Sequence, residues 1–100
     1  MVLIMKPDQI AQALDSLVET LAAVEHERWS HWQRYMHGKC ISQPDGSLII
    51  PANLAKRWQE QVDKPYAELS EQEKESDREQ VRKYLPLIAQ ALVARSRREI

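Results

Sequence analysis

From Asp8 to about His37, apolar residues recur at Ile10, Leu14, Leu17, Leu21, Val24, Trp32 and Tyr35, in steps of three, four or their sums. Side chains at those intervals share one face of an α-helix, so the pattern predicts an amphipathic helix, or two with a bend. Gly38 is placed to close it, because glycine takes left-handed angles without penalty. Gln43-Pro44-Asp45-Gly46 then reads as a turn: Pro presets φ and Gly permits φ above zero. Ser47-Leu48-Ile49-Ile50 is apolar and β-branched but has no obvious partner strand, and reads as an extended strip packed on the helices.

Pro51 suits the first turn of a second helix, where its missing N–H would have no partner anyway. Leu54, Trp58 and Val62, four apart, form its expected buried edge. Lys64-Pro65 interrupts that helix, since a residue before proline is pushed out of helical angles. Ser70 and Glu73 have the spacing of a capping box and open a final helix. Its stripe is Val81, Tyr84, Leu85, Ile88 and Leu92, and Pro86 inside it should kink the helix or begin another. The expected fold is all-α: two long helices, one shorter helix and an irregular connector.

Composition narrows this further. Two glycines in 100 residues weigh against a turn-rich β fold, and 43% hydrophobic residues suffice for one core in one domain over residues 1–100. A net charge of -1 and a pI near 6.3 lack a concentrated basic face, which counts against a nucleic-acid partner. Cys40, alone, cannot form an internal disulfide and points to a reducing compartment. The apolar opening Val2-Leu3-Ile4-Met5 stops at Lys6 and Pro7, too short for a signal or a membrane span. A cytoplasmic protein without a membrane partner is expected.

The informative residues break the stripes. Glu25 falls four after Leu21 and seven before Trp32, and Arg28 lies within about 40° of Trp32. Asp77 falls four before Val81 and seven before Tyr84, with Arg78 at its edge. The expectation is a partly buried ionic network of Glu25, Arg28, Asp77 and Arg78, since buried charges persist only when paired. A clamp between helices is its plain reading; an arginine that also meets an anionic ligand is the functional one. Around these residues lie His26, Trp29, Trp32, Tyr35, Trp58 and Tyr66. Trp32 and Trp58 sit on the stripes and read as core, whereas Trp29, about 60° from Trp32, borders its stripe and suits a half-exposed stacking platform.

Other chemistries find little support. His26-Glu27 begins like a zinc-protease helix, but His31 follows five residues on, about 140° around the helix. His31, His37 and Cys40 match no zinc spacing. There is no glycine-rich phosphate loop, and Cys40 near His37 lacks a third orienting group. Arg95, Arg97 and Arg98 fit a helix C-terminus, and Glu68 to Glu79 fits a solvated face. No catalytic residue, metal or cofactor is expected.

Glu25-His26-x-Arg28-Trp29, followed by Pro65-Tyr66-x-x-Leu69-Ser70-x-x-x-Lys74-x-x-Asp77-Arg78, resembles the ryanodine-receptor repeat (RyR domain) over roughly residues 20 to 88. That family includes stand-alone bacterial and phage proteins as well as modules of calcium channels. The resemblance implies an all-helical fold, no catalysis, and a nucleotide-like ligand sensed or sequestered by an aromatic pocket. It carries His26, Arg28 and Trp29 over to the first motif, and Tyr66, Lys74, Asp77 and Arg78 to the second. The family's Gly-Trp-x-x-Gly stretch is missing, and Gln33 to Trp58 reads differently. Channel modules present two repeats, so a lone copy implies a homodimer. Two readings compete: a binding module for an adenine-nucleotide or ADP-ribose-like ligand, held by His26, Arg28, Trp29, Trp32, Tyr66, Lys74 and Arg78, and an interaction or architectural domain. An enzyme is a distant third, for want of a nucleophile–base pair.

Overall fold

The computed structural model describes residues 5–98, except for the Arg98 side chain. The apolar opening from Val2 to Ile4 and the side chain of Arg98 in the arginine cluster lie outside the described residues. Of the described residues 78% are helical, an all-α fold as expected. In order, the elements are α1 (Pro7–Asp15), α2 (Val18–Lys39), β1 (Ile41–Ser42), β2 (Leu48–Ile49), α3 (Ala52–Asp63), a 3-10 turn (Tyr66–Glu68) and α4 (Glu71–Arg98). They form two compact units. One is continuous, Arg28–Asp77; the other is split, joining the residues up to Glu27 with those from Arg78 onward.

In the split unit the first stripe breaks into two helices at Ser16. The Ser16 hydroxyl donates to the Ala13 carbonyl at 2.6 Å, and the Leu17 N–H closes a tight turn on the Leu14 carbonyl. A serine that serves the preceding turn competes with helix propagation, which explains the break. Pro7 occupies the first turn of α1, and the Lys6 N–H donates to Gln9 Oε1 at 2.8 Å. The buried residues are small or on the stripe: Ala13 (4% exposed), Leu17 (9%) and Ser96 (4%). On α4, half-buried Tyr84, Leu87, Ile88, Ala91, Leu92 and Arg95 lead to Ser96 at spacings of three and four. Val81 and Leu85 depart from the expected stripe and are half exposed. Leu85 lies about 60° from Ile88 at the stripe's edge, and Val81 lies a turn before Tyr84, close to the unit's boundary.

Pro86 neither ends α4 nor starts another helix; α4 runs through it. An interior proline costs about 3 kcal/mol. Burial of the α4 stripe on both sides of Pro86 offsets that cost. Arg95 reaches α1, where Nη2 donates to Gln12 Oε1 at 2.5 Å beside a cavity of about 140 Å³ lined by Gln12, Ala13, Ser16, Ala91, Ala94 and Arg95.

The continuous unit is built from local chemistry. The expected turn forms: the Gly46 N–H donates to the Gln43 carbonyl and the Gln43 N–H to the Ser47 carbonyl, with Gly46 at φ 88°. The Asp45 carboxylate accepts from the Ser47 hydroxyl (2.6 Å) and N–H (2.9 Å), which holds its pKa below the usual carboxylate value. Leu48-Ile49 does have a partner, contrary to expectation. β2 pairs antiparallel with β1, Ile41 opposite Ile49 and Ser42 opposite Leu48. The strip is therefore a hairpin rather than a segment packed on helices, and Ile41, Leu48, Ile49 and Ile50 are all exposed. Gly38 lies within α2 and takes no left-handed angle, so it is not a cap.

Pro51 caps α3 from just outside its first turn, and Lys64 ends it in an extended conformation. Leu54 and Trp58 are half-buried, but Val62 is 77% exposed and Gln61 takes the third place on the edge. The capping box forms as expected. The Ser70 hydroxyl accepts from the Glu73 N–H and Glu73 Oε1 accepts from the Ser70 N–H, both at 3.2 Å. Among the described residues, no helix is long and apolar enough to cross a membrane.

Candidate ligand site

The second half of α2 carries the aromatic side chains that the sequence singles out. Trp29 is 54% exposed, as expected of a residue at the border of a stripe. Trp32 was expected in the core, yet it is 41% exposed. The reason is that its packing comes from other rings rather than from an enclosing core. It stacks on Tyr35 (centroids 5.6 Å, planes 28° apart) and meets Trp58 of α3 edge-on (5.5 Å, 68°). Aromatic pairs favour such offset and edge geometries, which fix ring orientation while leaving area open. Lys39 lies one turn beyond Tyr35, its ammonium 5.5 Å from the ring centre.

The second motif supplies another aromatic and cationic pair. Tyr66, in the 3-10 turn, is half exposed, and Lys74 Nζ stands 5.8 Å from its ring centre. The same ammonium is 3.7 Å from Glu71 Oε1, and the Lys74 side chain is largely covered. The capping box beneath this pair is charged at neutral pH: bonds from Ser70, then Gln61, and the nearby Lys64 hold the Glu73 carboxyl below its usual pKa.

Of the seven expected ligand residues, Arg28, Trp29, Trp32, Tyr66 and Lys74 belong to the continuous unit, and His26 and Arg78 to the split one. The expected partly buried network is not buried at three of its four positions. Glu25, Arg28 and Asp77 are exposed, and Arg78 is half-buried. Their helical angle faces the stripe, but angle alone does not supply neighbours to cover them. Glu25 has a partner absent from the sequence reading, the Tyr84 hydroxyl, which donates to Oε2 at 2.5 Å within the split unit. Tyr35 and Lys39, which stand in line with Trp32, were not among the seven expected ligand residues; their signal was the spacing of three and four that follows Trp32.

Among the described residues, no group of three or more His, Cys, Asp or Glu side chains could hold a metal ion. Cys40 is half-buried, its thiol donating to the Met36 carbonyl one turn back at 3.2 Å, the bond of a thiol closing a helix end. Compared with known protein families, curated proteins and solved structures, the chain matches none.

Proposed function

We propose that this chain is a non-enzymatic binding module for an adenine-nucleotide or ADP-ribose-like ligand, sensed or sequestered at the aromatic face of α2. The observation that carries this reading is the half-open Trp29 ring, which follows Arg28 in sequence and precedes Trp32 by about one turn of α2. A flat exposed ring stacks a nucleobase, and a guanidinium adds a charge-assisted bond to phosphate. The ligand class comes from the resemblance of the two motifs to the RyR repeat, which the spacing of Tyr66, Lys74 and Arg78 shares.

Thermal shift and calorimetry against ATP, ADP, AMP, NAD and ADP-ribose test the reading. A bound ligand at about 100 times its Kd stabilises by roughly 2.7 kcal/mol. Trp29→Ala should weaken binding about ten- to a hundredfold with the fold intact. Absence of binding at millimolar concentration, or a Trp29→Ala variant that binds equally well, would sink it. One observation favours a second reading, an interaction module with a homodimer as its simplest form: the apolar hairpin residues Ile41, Leu48, Ile49 and Ile50 are all exposed. Sedimentation equilibrium of the wild type and of Ile49→Asp separates that reading from a monomeric binder.

A further inference from the structure

The face of α2 that bears Trp32 holds more than one ring and more than one charge. At 100° per residue, Arg28, Trp32, Tyr35 and Lys39 fall within about 60° of one another. Cation, ring, ring and cation thus follow in order along roughly 16 Å of helix axis. Trp29 lies to one side of this row, about 60° from Trp32 and about 120° from Tyr35. Stacking of Trp32 on Tyr35, and its edge contact with Trp58, set the ring planes, and Trp29, Trp32 and Tyr35 all remain exposed. From Arg28 through Pro44 there is no carboxylate, so the overall charge of -1 is not the local charge here.

Three part-exposed rings spread over seven residues, about 9 Å of axis, are more than one nucleobase covers. A ligand that uses all of them has several bases joined by anionic links. We propose that this face binds single-stranded oligonucleotides of a few nucleotides, with bases on Trp29, Trp32 and Tyr35 and phosphates at Arg28 and Lys39. The proposal rests on the base-stacking reading above and extends it from one nucleotide to several. Alternating stacking platforms and cations are the general means of holding single strands without sequence preference.

The test is fluorescence polarisation with a labelled eight-nucleotide oligo-dT, alongside AMP and a DNA duplex, at about 50 and 200 mM salt. The single strand should bind at least about tenfold tighter than AMP, because a second stacked base adds to the first. Two phosphate contacts predict a log–log salt slope of about -1.4, and Lys39→Glu should remove about half of it. Tyr35→Ala should weaken binding about tenfold or more. It serves with Lys39→Glu because Trp32 also packs on Trp58, so Trp32→Ala risks the fold. An oligonucleotide no tighter than AMP overturns the extended face while the single-base reading stands. Binding of neither overturns both. A duplex bound as tightly as the single strand, or natively folded Lys39→Glu with unchanged affinity and slope, also overturns the proposal.

Discussion

The split and continuous units hold themselves together by different means. The split unit contains Ala13, Leu17 and Ser96, the buried positions among the described residues, and packs small side chains of α1 against the stripe of α4. The continuous unit buries no residue to that degree. It relies on a capping box, a hairpin turn, prolines at helix boundaries and ring-on-ring contacts. Burial is non-directional and scales with apolar area, whereas caps and turns are short-range and leave side chains at the surface. The continuous unit therefore keeps aromatic surface at Trp29, Trp32, Tyr35 and Tyr66 exposed.

The sharpest way to break this contrast is Leu17→Ala. Removing a buried leucine side chain should destabilise the split unit by about 2–5 kcal/mol, seen in denaturant unfolding. Hydrogen exchange should rise in α1 and in the later part of α4. If the hairpin amides of Gln43 and Gly46 lose protection to the same extent, the two units are one cooperative body and the contrast fails.

The matching change in the continuous unit is Ser70→Ala, expected to cost about 1 kcal/mol through the lost cap. It should also raise the pKa of Glu73, whose depression comes first from the Ser70 hydroxyl. The sign of the pH dependence follows. Asp45 and Glu73 both have lowered folded pKa values, so the stability they add is present above their unfolded pKa and is lost as pH falls through the folded one. Carboxylate NMR titration of the wild type and Ser70→Ala measures this directly. An unmoved Glu73 would mean that the capping box does not form in solution.

These two units also differ in how well the sequence foretells them. Pro51, the Gln43–Gly46 turn and the Ser70–Glu73 box are local, so residue type and spacing suffice to place them. Pairing of Leu48-Ile49 with Ile41-Ser42 is not local in that sense, since a two-residue strand carries no periodic signal of its own. Burial was harder still. Steps of four overshoot the helical repeat by about 40° each, so Val62 has rotated roughly 80° from Leu54, whereas Gln61 lies only about 20° away. Counting by fours chose the wrong side chain. The same weakness affects Glu25 and Asp77, whose helical angle is right but whose surroundings do not bury them.

The smallest predicted effect follows from that exposure. Asp77→Ala should cost no more than about 1 kcal/mol, the range of surface ion pairs, rather than the several kcal/mol of a buried one. A double-mutant cycle with Arg28→Ala measures the coupling. A loss above about 3 kcal/mol would restore the buried network.

Gln12 and Arg95 are hydrogen-bonded across 83 positions of sequence, and the fifty residues of Arg28–Asp77 lie between the two segments of the split unit. The entropy of closing such a loop grows with the logarithm of its length, so any structure already formed inside it shortens the effective gap. The continuous unit, whose contacts are mostly local, is of the kind that forms quickly. In chain order its hairpin and caps lie between the two segments that the split unit brings together. The most deeply buried part of the protein therefore joins segments far apart in sequence: Ala13 lines its cavity with Ala91, Ala94 and Arg95, made long after it.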